Sequence, residues 1–211
     1  MTQHLAWDLD GVLVDMDAAH RIALNRALLP WGATITMEEH LAWAKGLPTR
    51  VKLAALLKVG RIREEHVRDI TADKQRYTVD AIITACKPDP EKVALLRGLK
   101  AAGCRMCVCS NAVRQSVELM VDLAGIFPFV EFCLSNEDVL RPKPHPDIYQ
   151  LAAARLGVDP LLLSVVEDSP PGKQAALAAG CRLISVAGPW EVTRALLPAI
   201  LEGLPAGKGC P

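Results

Sequence analysis

Trp7-Asp8-Leu9-Asp10-Gly11-Val12-Leu13-Val14-Asp15 is the stretch whose reading decides the rest of the chain. The apolar run Leu5-Ala6-Trp7 leads into Asp8 and Asp10, Gly11 follows, and a second apolar run comes after it. The pattern predicts a buried strand that stops at two carboxylates and a tight turn. Residues two apart share a face in extended backbone, so both carboxylates can look into one site. Two ionised carboxylates held close repel each other, and a cation or a shared proton must relieve them. Hard oxygen ligands favour Mg²⁺ among the abundant metals. The same residues also suit a polar turn, where Asp and Gly serve turn chemistry alone.

Downstream of this stretch the pattern is helical for roughly seventy residues, by apolar spacing. Ala19, Ile22, Ala23 and Ala27 predict a helix from Met16 to about Leu29, stopped by Pro30 and Gly32. Thr36 with Glu39 three residues on reads as a capping box. Gly46-Leu47-Pro48 is a loop, Thr49–Lys58 a helix, and Glu64–Ala85 a long charged helix. Lys87-Pro88-Asp89-Pro90 reads as a linker. Helix and strand then alternate, with strands at Arg105–Cys109, Glu131–Ser135, Leu162–Glu167 and Arg182–Val186. Helices are expected at Glu91–Ala102, Ala112–Ala124, Pro146–Leu156, Gly172–Ala179 and Glu191–Leu201. Such alternation implies a doubly wound, mostly parallel sheet. The Gly- and Pro-rich tail, Gly203–Pro211, is expected to fray. The helical segment therefore interrupts an α/β domain after its first strand.

The 211 residues suffice for one α/β domain with a small insertion. Hydrophobic residues make up 51% and mean hydropathy is +0.20, so the core can be sizeable, but aromatics are only 4%, which leaves it to Leu, Ala, Val and Ile. A formal net charge of zero argues against nucleic acid or an anionic membrane as partner. A motif beginning at Asp8 leaves no room for a signal peptide, and no apolar run reaches transmembrane length. Seven Cys, mostly inside apolar segments, suggest reduced thiols and a cytoplasmic protein. Cys104 and Cys107 form a C-x-x-C with no second pair, so no zinc or redox role is assigned. Trp31 and Trp43 are read as packing residues.

Three later stretches carry chemistry. Ser110-Asn111 follows a predicted strand and precedes a helix, where hydroxyl, amide and backbone N–H groups can hold a phosphoryl oxygen or simply cap the helix. Arg141-Pro142-Lys143-Pro144-His145-Pro146-Asp147-Ile148-Tyr149 is a proline-studded loop that restricts where the Lys143 amine can go. His145 in it is read as exposed. Val165-Val166-Glu167-Asp168-Ser169-Pro170-Pro171-Gly172 puts an acidic pair at the end of a strand, where ligands bind in parallel sheets.

Taken in order, these four stretches resemble the motifs of the haloacid dehalogenase (HAD) superfamily phosphatases. Asp8, Asp10, Gly11, Val12 and Asp15 match Asp-x-Asp-Gly-(Thr/Val)-x-x-Asp; Ser110 matches the second motif; Lys143 to Tyr149 match Lys-Pro-x-Pro-Asp-x-Tyr; Glu167-Asp168 match the acidic pair. The resemblance implies a Rossmann-like core, 1–15 and 87–211, with a helical cap at 16–86. It implies that Asp8 attacks phosphorus, that Asp10 is the acid and base, and that Lys143 with Ser110 and Asn111 holds the phosphoryl group. Mg²⁺ would lie among Asp8, Asp10 through its backbone carbonyl, and Asp168, with Glu167 in support. Lys45-Gly46 and Arg50 resemble the cap specificity loop of the phosphoglycolate phosphatase and β-phosphoglucomutase branch, and His20 matches a histidine found there beside the hinge. The expected activity is hydrolysis of a small phosphorylated metabolite, of sugar phosphate or phosphoglycolate type, through an aspartyl-phosphate, by a monomer or weak homodimer. A phosphomutase like β-phosphoglucomutase is the alternative. A non-catalytic binding protein on this fold is the third reading, and a lost motif carboxylate would favour it; none is lost.

Overall fold

The apolar run before Asp8 forms β1 (His4–Trp7) at the centre of the sheet, with Leu5, Ala6 and Trp7 fully buried. The structure is a computed structural model and describes residues 3–202; the predicted fraying of 203–211 lies outside the described residues. After β1 come α1 (Asp17–Leu28), α2 (Met37–Glu39), α3 (Thr49–Lys58) and α4 (Val67–Ala85). The remainder alternates: α5 (Pro90–Ala101), β2 (Arg105–Cys109), α6 (Arg114–Leu123), β3 (Phe132–Leu134), α7 (Asp147–Leu156), β4 (Leu163–Glu167), α8 (Pro170–Ala178), β5 (Arg182–Ser185) and α9 (Leu196–Leu201). The five strands pair in the order β3-β2-β1-β4-β5, every pair parallel.

Both faces of the sheet are covered, as continuous apolar strands require. Leu5, Trp7, Met106 and Val108 face the helices that carry Leu95, Leu99, Val117, Met120 and Ile200. Their alternates Ala6, Cys107 and Cys109 face Ile148, Tyr149, Ala152 and Ala175. The period-two alternation within β1 and β2 thus feeds two separate clusters, which is the doubly wound arrangement.

The helices after β1 bury a cluster of their own, built on Leu24, Leu28, Ile35, Leu53, Leu56 and Ile70. This is the inserted helical cap. The predicted capping box is present: Thr36 Oγ1 accepts from Glu39 N–H at 3.1 Å, and Glu39 Oε2 accepts from Thr36 N–H at 2.8 Å. Trp31 stacks on His66 with ring centroids 3.9 Å apart. Met16 and Ile82 belong to the sheet cluster instead and root the cap in the core.

Four predicted helices change at their starts: α4 begins at Val67, not Glu64, after a 3₁₀ turn over Glu64–His66, and α8 begins at Pro170, not Gly172, where the Ser169 hydroxyl caps it by accepting the Gly172 N–H. The last helix begins at Leu196, not Glu191, because Val192 leaves helical geometry to bury its side chain and the Thr193 hydroxyl accepts the Ala195 N–H. Helix α6 begins at Arg114, not Ala112, because Asn136 binds the preceding turn through Asn111 O at 2.7 Å and Ala112 O at 3.1 Å.

Candidate active site

The C-terminal ends of parallel strands are where a doubly wound sheet exposes its backbone to a ligand. Here β1 delivers Asp8, β2 delivers Ser110, and β4 delivers Glu167 and Asp168. The turn after Asp8 closes when Leu13 and Val14 N–H both reach Leu9 O at 2.9 Å. Gly11 sits in it at φ 95°, and a Cβ there would overlap the Asp168 carboxylate. Asp10 accepts Met16 N–H at 2.8 Å, tying the turn to the start of α1, and its second oxygen lies 3.3 Å from His20 Nε2.

Lys143 is the hub. Its buried ammonium donates to Asp8 Oδ1 at 2.7 Å, Glu167 Oε1 at 2.6 Å and Cys109 O at 2.8 Å. Tyr149 donates to the same Glu167 oxygen at 2.7 Å, and Ser169 donates to the other from its hydroxyl at 3.0 Å and its N–H at 3.2 Å. Burial alone would discharge Lys143, but the Asp8 and Glu167 charges more than offset it and hold the ammonium protonated. Burial, then the Glu167 charge, raises the Asp8 carboxyl, against the pull of Lys143. Burial pushes Asp10 up to about 7, against its bond from Met16. Burial, then the charges of Lys74 and Lys52, keeps His20 well below its ordinary value and therefore neutral.

Asp8, Glu167 and Asp168 each offer an oxygen within 4.8 Å of the others. Asp168 Oδ1 is buried with no hydrogen-bond donor, and Oδ2 meets only the Lys45 ammonium, at 3.0 Å. A buried carboxylate oxygen without a donor, in an all-oxygen cluster, fits a hard divalent cation. The Asp10 carboxylate lies outside this cluster and accepts the Met16 N–H instead. Glu167 has both oxygens occupied by protein donors, so its part in holding a cation is indirect.

The sequence model of the haloacid dehalogenase-like hydrolases matches residues 2–180. The chain belongs to that family. This hydrolase is 32% identical over 191 residues to hexitol phosphatase A of Escherichia coli (strain K12), covering 89% of this chain and 84% of that protein. It is 31% identical over 198 residues to the phosphoglycolate phosphatase of Shigella boydii serotype 4 (strain Sb227), covering 84% and 78%. Among solved structures it superposes on CbbY of Rhodobacter sphaeroides in complex with phosphate, with a TM-score of 0.77, 26% identity, and coverage of 88% of this chain and 86% of that one. The hydrolase is accordingly a phosphoric monoester hydrolase of the HAD type.

The cap of this hydrolase touches its core at the Gly46 loop, where Gly46 O accepts from Asn111 Nδ2 at 2.8 Å. A cavity of about 210 Å³ lies between cap and core, lined by Asp8, Asp10, Ser110 and Lys143 from the core and by His20, Lys45, Gly46 and Arg50 from the cap. All the predicted residues except Glu167 and Asp168, which lie beneath its floor, meet there or, like Asn111, on its wall. Two act differently from expectation. The Asn111 carboxamide was expected on a phosphoryl oxygen; instead Oδ1 accepts Lys143 N–H at 3.0 Å, and Nδ2 donates to Lys143 O at 3.1 Å and Gly46 O at 2.8 Å. The carboxamide is thus engaged by two backbones, that of the Lys143 loop and that of the cap loop. Lys45 was expected on the substrate; its ammonium stands 3.0 Å from Asp168 Oδ2 across the cleft.

Sequence reasoning missed Lys52 and Lys74, which also line the cavity. A signal was present for both. On α4, Ile70, Thr78 and Ile82 form a buried row at four-residue steps, and Lys74 fills the remaining place in it. On α3, Lys52 is buried beside Leu53 and Leu56, while the apolar Val51 faces out.

Proposed function

We propose that this hydrolase is a Mg²⁺-dependent, cytoplasmic phosphatase of a small phosphorylated metabolite, working through an aspartyl-phosphate on Asp8. The observation that carries the reading is Asp8 held at 2.7 Å by a charged Lys143, next to an Asp168 whose buried Oδ1 has no hydrogen-bond donor. Six described cysteines are free thiols, which supports the cytoplasm.

In this reading an Asp8 oxygen bonds to phosphorus as the ester P–O bond breaks. Asp10, at about 7, is present in both forms near neutrality and gives its proton to the leaving alkoxide. It then takes a proton from the water that attacks phosphorus, and phosphate leaves as the Asp8 carboxylate is restored. Lys143 and the Ser110 hydroxyl hold phosphoryl oxygens, where charge concentrates in the transition state. Asp8, Asp168 and the Asp10 carbonyl would hold Mg²⁺, with Glu167 in support. Bound Mg²⁺ supplies charge cancellation between nucleophile and phosphate. The cap, 16–86 in the division we adopt, excludes bulk water and faces the leaving group.

Hydrolysis of p-nitrophenyl phosphate tests the metal assignment. EDTA should abolish it, Mg²⁺ restore it and Ca²⁺ not, because calcium takes looser, larger coordination and misplaces the nucleophile. Full activity in metal-free buffer would overturn the carboxylate site. The phosphomutase alternative draws on His20 at 3.3 Å from Asp10; an isomeric sugar phosphate as product, in place of inorganic phosphate, would establish it.

A further inference from the structure

Lys52 and Lys74 line the cavity from the cap side, and phosphoryl transfer uses neither. Lys52 is only 8% exposed and Lys74 is half-buried. Among the described residues neither makes a salt bridge or a side-chain hydrogen bond, whereas the neighbouring Lys45 is paired with Asp168. The carboxylates that act on Lys52 are Asp17 and Asp10. Both are engaged elsewhere: Asp17 binds His40 Nε2 at 2.9 and 3.0 Å, and Asp10 binds Met16 and faces His20. The third neighbour, His20, is neutral. Burial, then the charge of Lys52, pushes Lys74 down to about 8. Two ammoniums lining one cavity, partly desolvated and without an ion-pair partner among the described residues, are costly for the fold, and a bound anion offsets that cost.

The geometry therefore has two poles. The core side, at Ser110 and Lys143, receives the phosphoryl group that is transferred; the cap side holds two ammoniums that the chain leaves unpaired. Building on the phosphatase reading, we propose that the substrate carries a second anionic group, a carboxylate or a second phosphate, seated between Lys52 and Lys74. A neutral hydroxyl cannot fill this place, because it brings no charge to two cations. The cavity, about 210 Å³, falls below the range typical of drug-sized ligands. The substrate class is thus a short phosphorylated acid or a small bisphosphate, as opposed to a neutral polyol or nucleoside monophosphate.

The test uses the full chain with Mg²⁺ and matched pairs of esters. 2-Phosphoglycolate against 2-hydroxyethyl phosphate differs by a carboxylate in place of a hydroxymethyl group; a pentulose bisphosphate against its monophosphate probes the phosphate source. The wild-type enzyme should prefer the doubly anionic member of one pair by about tenfold or more in kcat/KM, the scale of one charge-assisted hydrogen bond. Which pair shows the preference identifies the anion. Lys52→Gln and Lys74→Gln should each shrink that preference to within a few-fold of unity. Lys74→Gln, at a half-buried position, carries the test alone if circular dichroism shows Lys52→Gln to be misfolded. No preference in either pair, or a preference that survives substitution, overturns the inference while p-nitrophenyl phosphate turnover leaves the phosphatase reading standing. No phosphate release from any ester, p-nitrophenyl phosphate included, overturns both.

Discussion

Both oxygens of Glu167 are taken by protein donors, Oε1 by Lys143 and Tyr149 and Oε2 by Ser169. The carboxylate is fully buried, so its position is fixed by those bonds and by the space around it. Gly172 supplies that space: any Cβ at this position of α8 would overlap the Glu167 carboxylate. We predict that Gly172→Ala displaces Glu167, releases Lys143 from its second carboxylate and lowers kcat roughly ten- to a hundredfold, as expected for loss of a buried charge-assisted bond. Its circular dichroism should stay native, because Ala suits a helix better than Gly. Steady-state kinetics on p-nitrophenyl phosphate checks this, and wild-type kcat would show that Glu167 does not position Lys143. The sequence marked Lys143 and Glu167 as site residues, but not their bond. They stand 24 residues apart, and only the packing of the loop before α7 against the end of β4 brings them together. Gly172 reads in the sequence only as the start of a predicted helix, because no sequence pattern records which side chain a glycine makes room for.

Asn111 joins three elements, since one carboxamide binds the backbone of the Lys143 loop and the cap loop at Gly46 from its place after β2. Asn111→Ala removes three hydrogen bonds and leaves two buried backbone groups of Lys143 without that partner. We predict a loss of about 1–3 kcal/mol in stability, the range for orphaned buried polar groups, together with a higher KM because the cap loop is no longer tied down. Urea unfolding and steady-state kinetics read the two effects. Unchanged stability and KM would return Asn111 to a turn residue. Element positions were largely legible: α3, β2 and the Thr36–Glu39 capping box fall where apolar spacing and cap chemistry put them. The misses came where tertiary contacts override local pattern. Asn136 delays α6, buried Val192 delays α9, and Lys52 and Lys74 occupy apolar rows because a polar cavity, not a core, lies opposite them.

Over the whole molecule, the site's carboxylates oppose the stability of the metal-free protein. Asp10 is raised from 3.8 to about 7 in the folded state, so near neutrality the folded chain binds more protons than the unfolded one. Stability from this group is therefore greatest at low pH and is lost as pH rises towards and through 7. His20, held neutral, works in the opposite sense below its unfolded value of 6.5, which confines the readable window to about pH 6.5–7.5. In that window the Tm of the metal-free protein should fall with rising pH, and Asp10→Asn should flatten the slope; a slope that persists in Asp10→Asn would assign it to other groups. The alternation of helix and strand announced the parallel sheet, but the order β3-β2-β1-β4-β5 rests on long-range pairing that spacing does not encode. The contact of the cap with the core was not legible either, since it depends on pairs such as Gln75 Nε2 to Ser116 Oγ at 3.1 Å between distant segments. The central claim is that these elements converge to make Asp8 a nucleophile. Its most direct test is rapid acid quench of the Mg²⁺-loaded enzyme during turnover, followed by peptide mass spectrometry. One phosphoryl group is expected on the peptide that carries Asp8, absent in Asp8→Asn, which should also be inactive with a native fold. An Asp8→Asn enzyme with near wild-type turnover, or a phosphoryl group found on another residue, would contradict it.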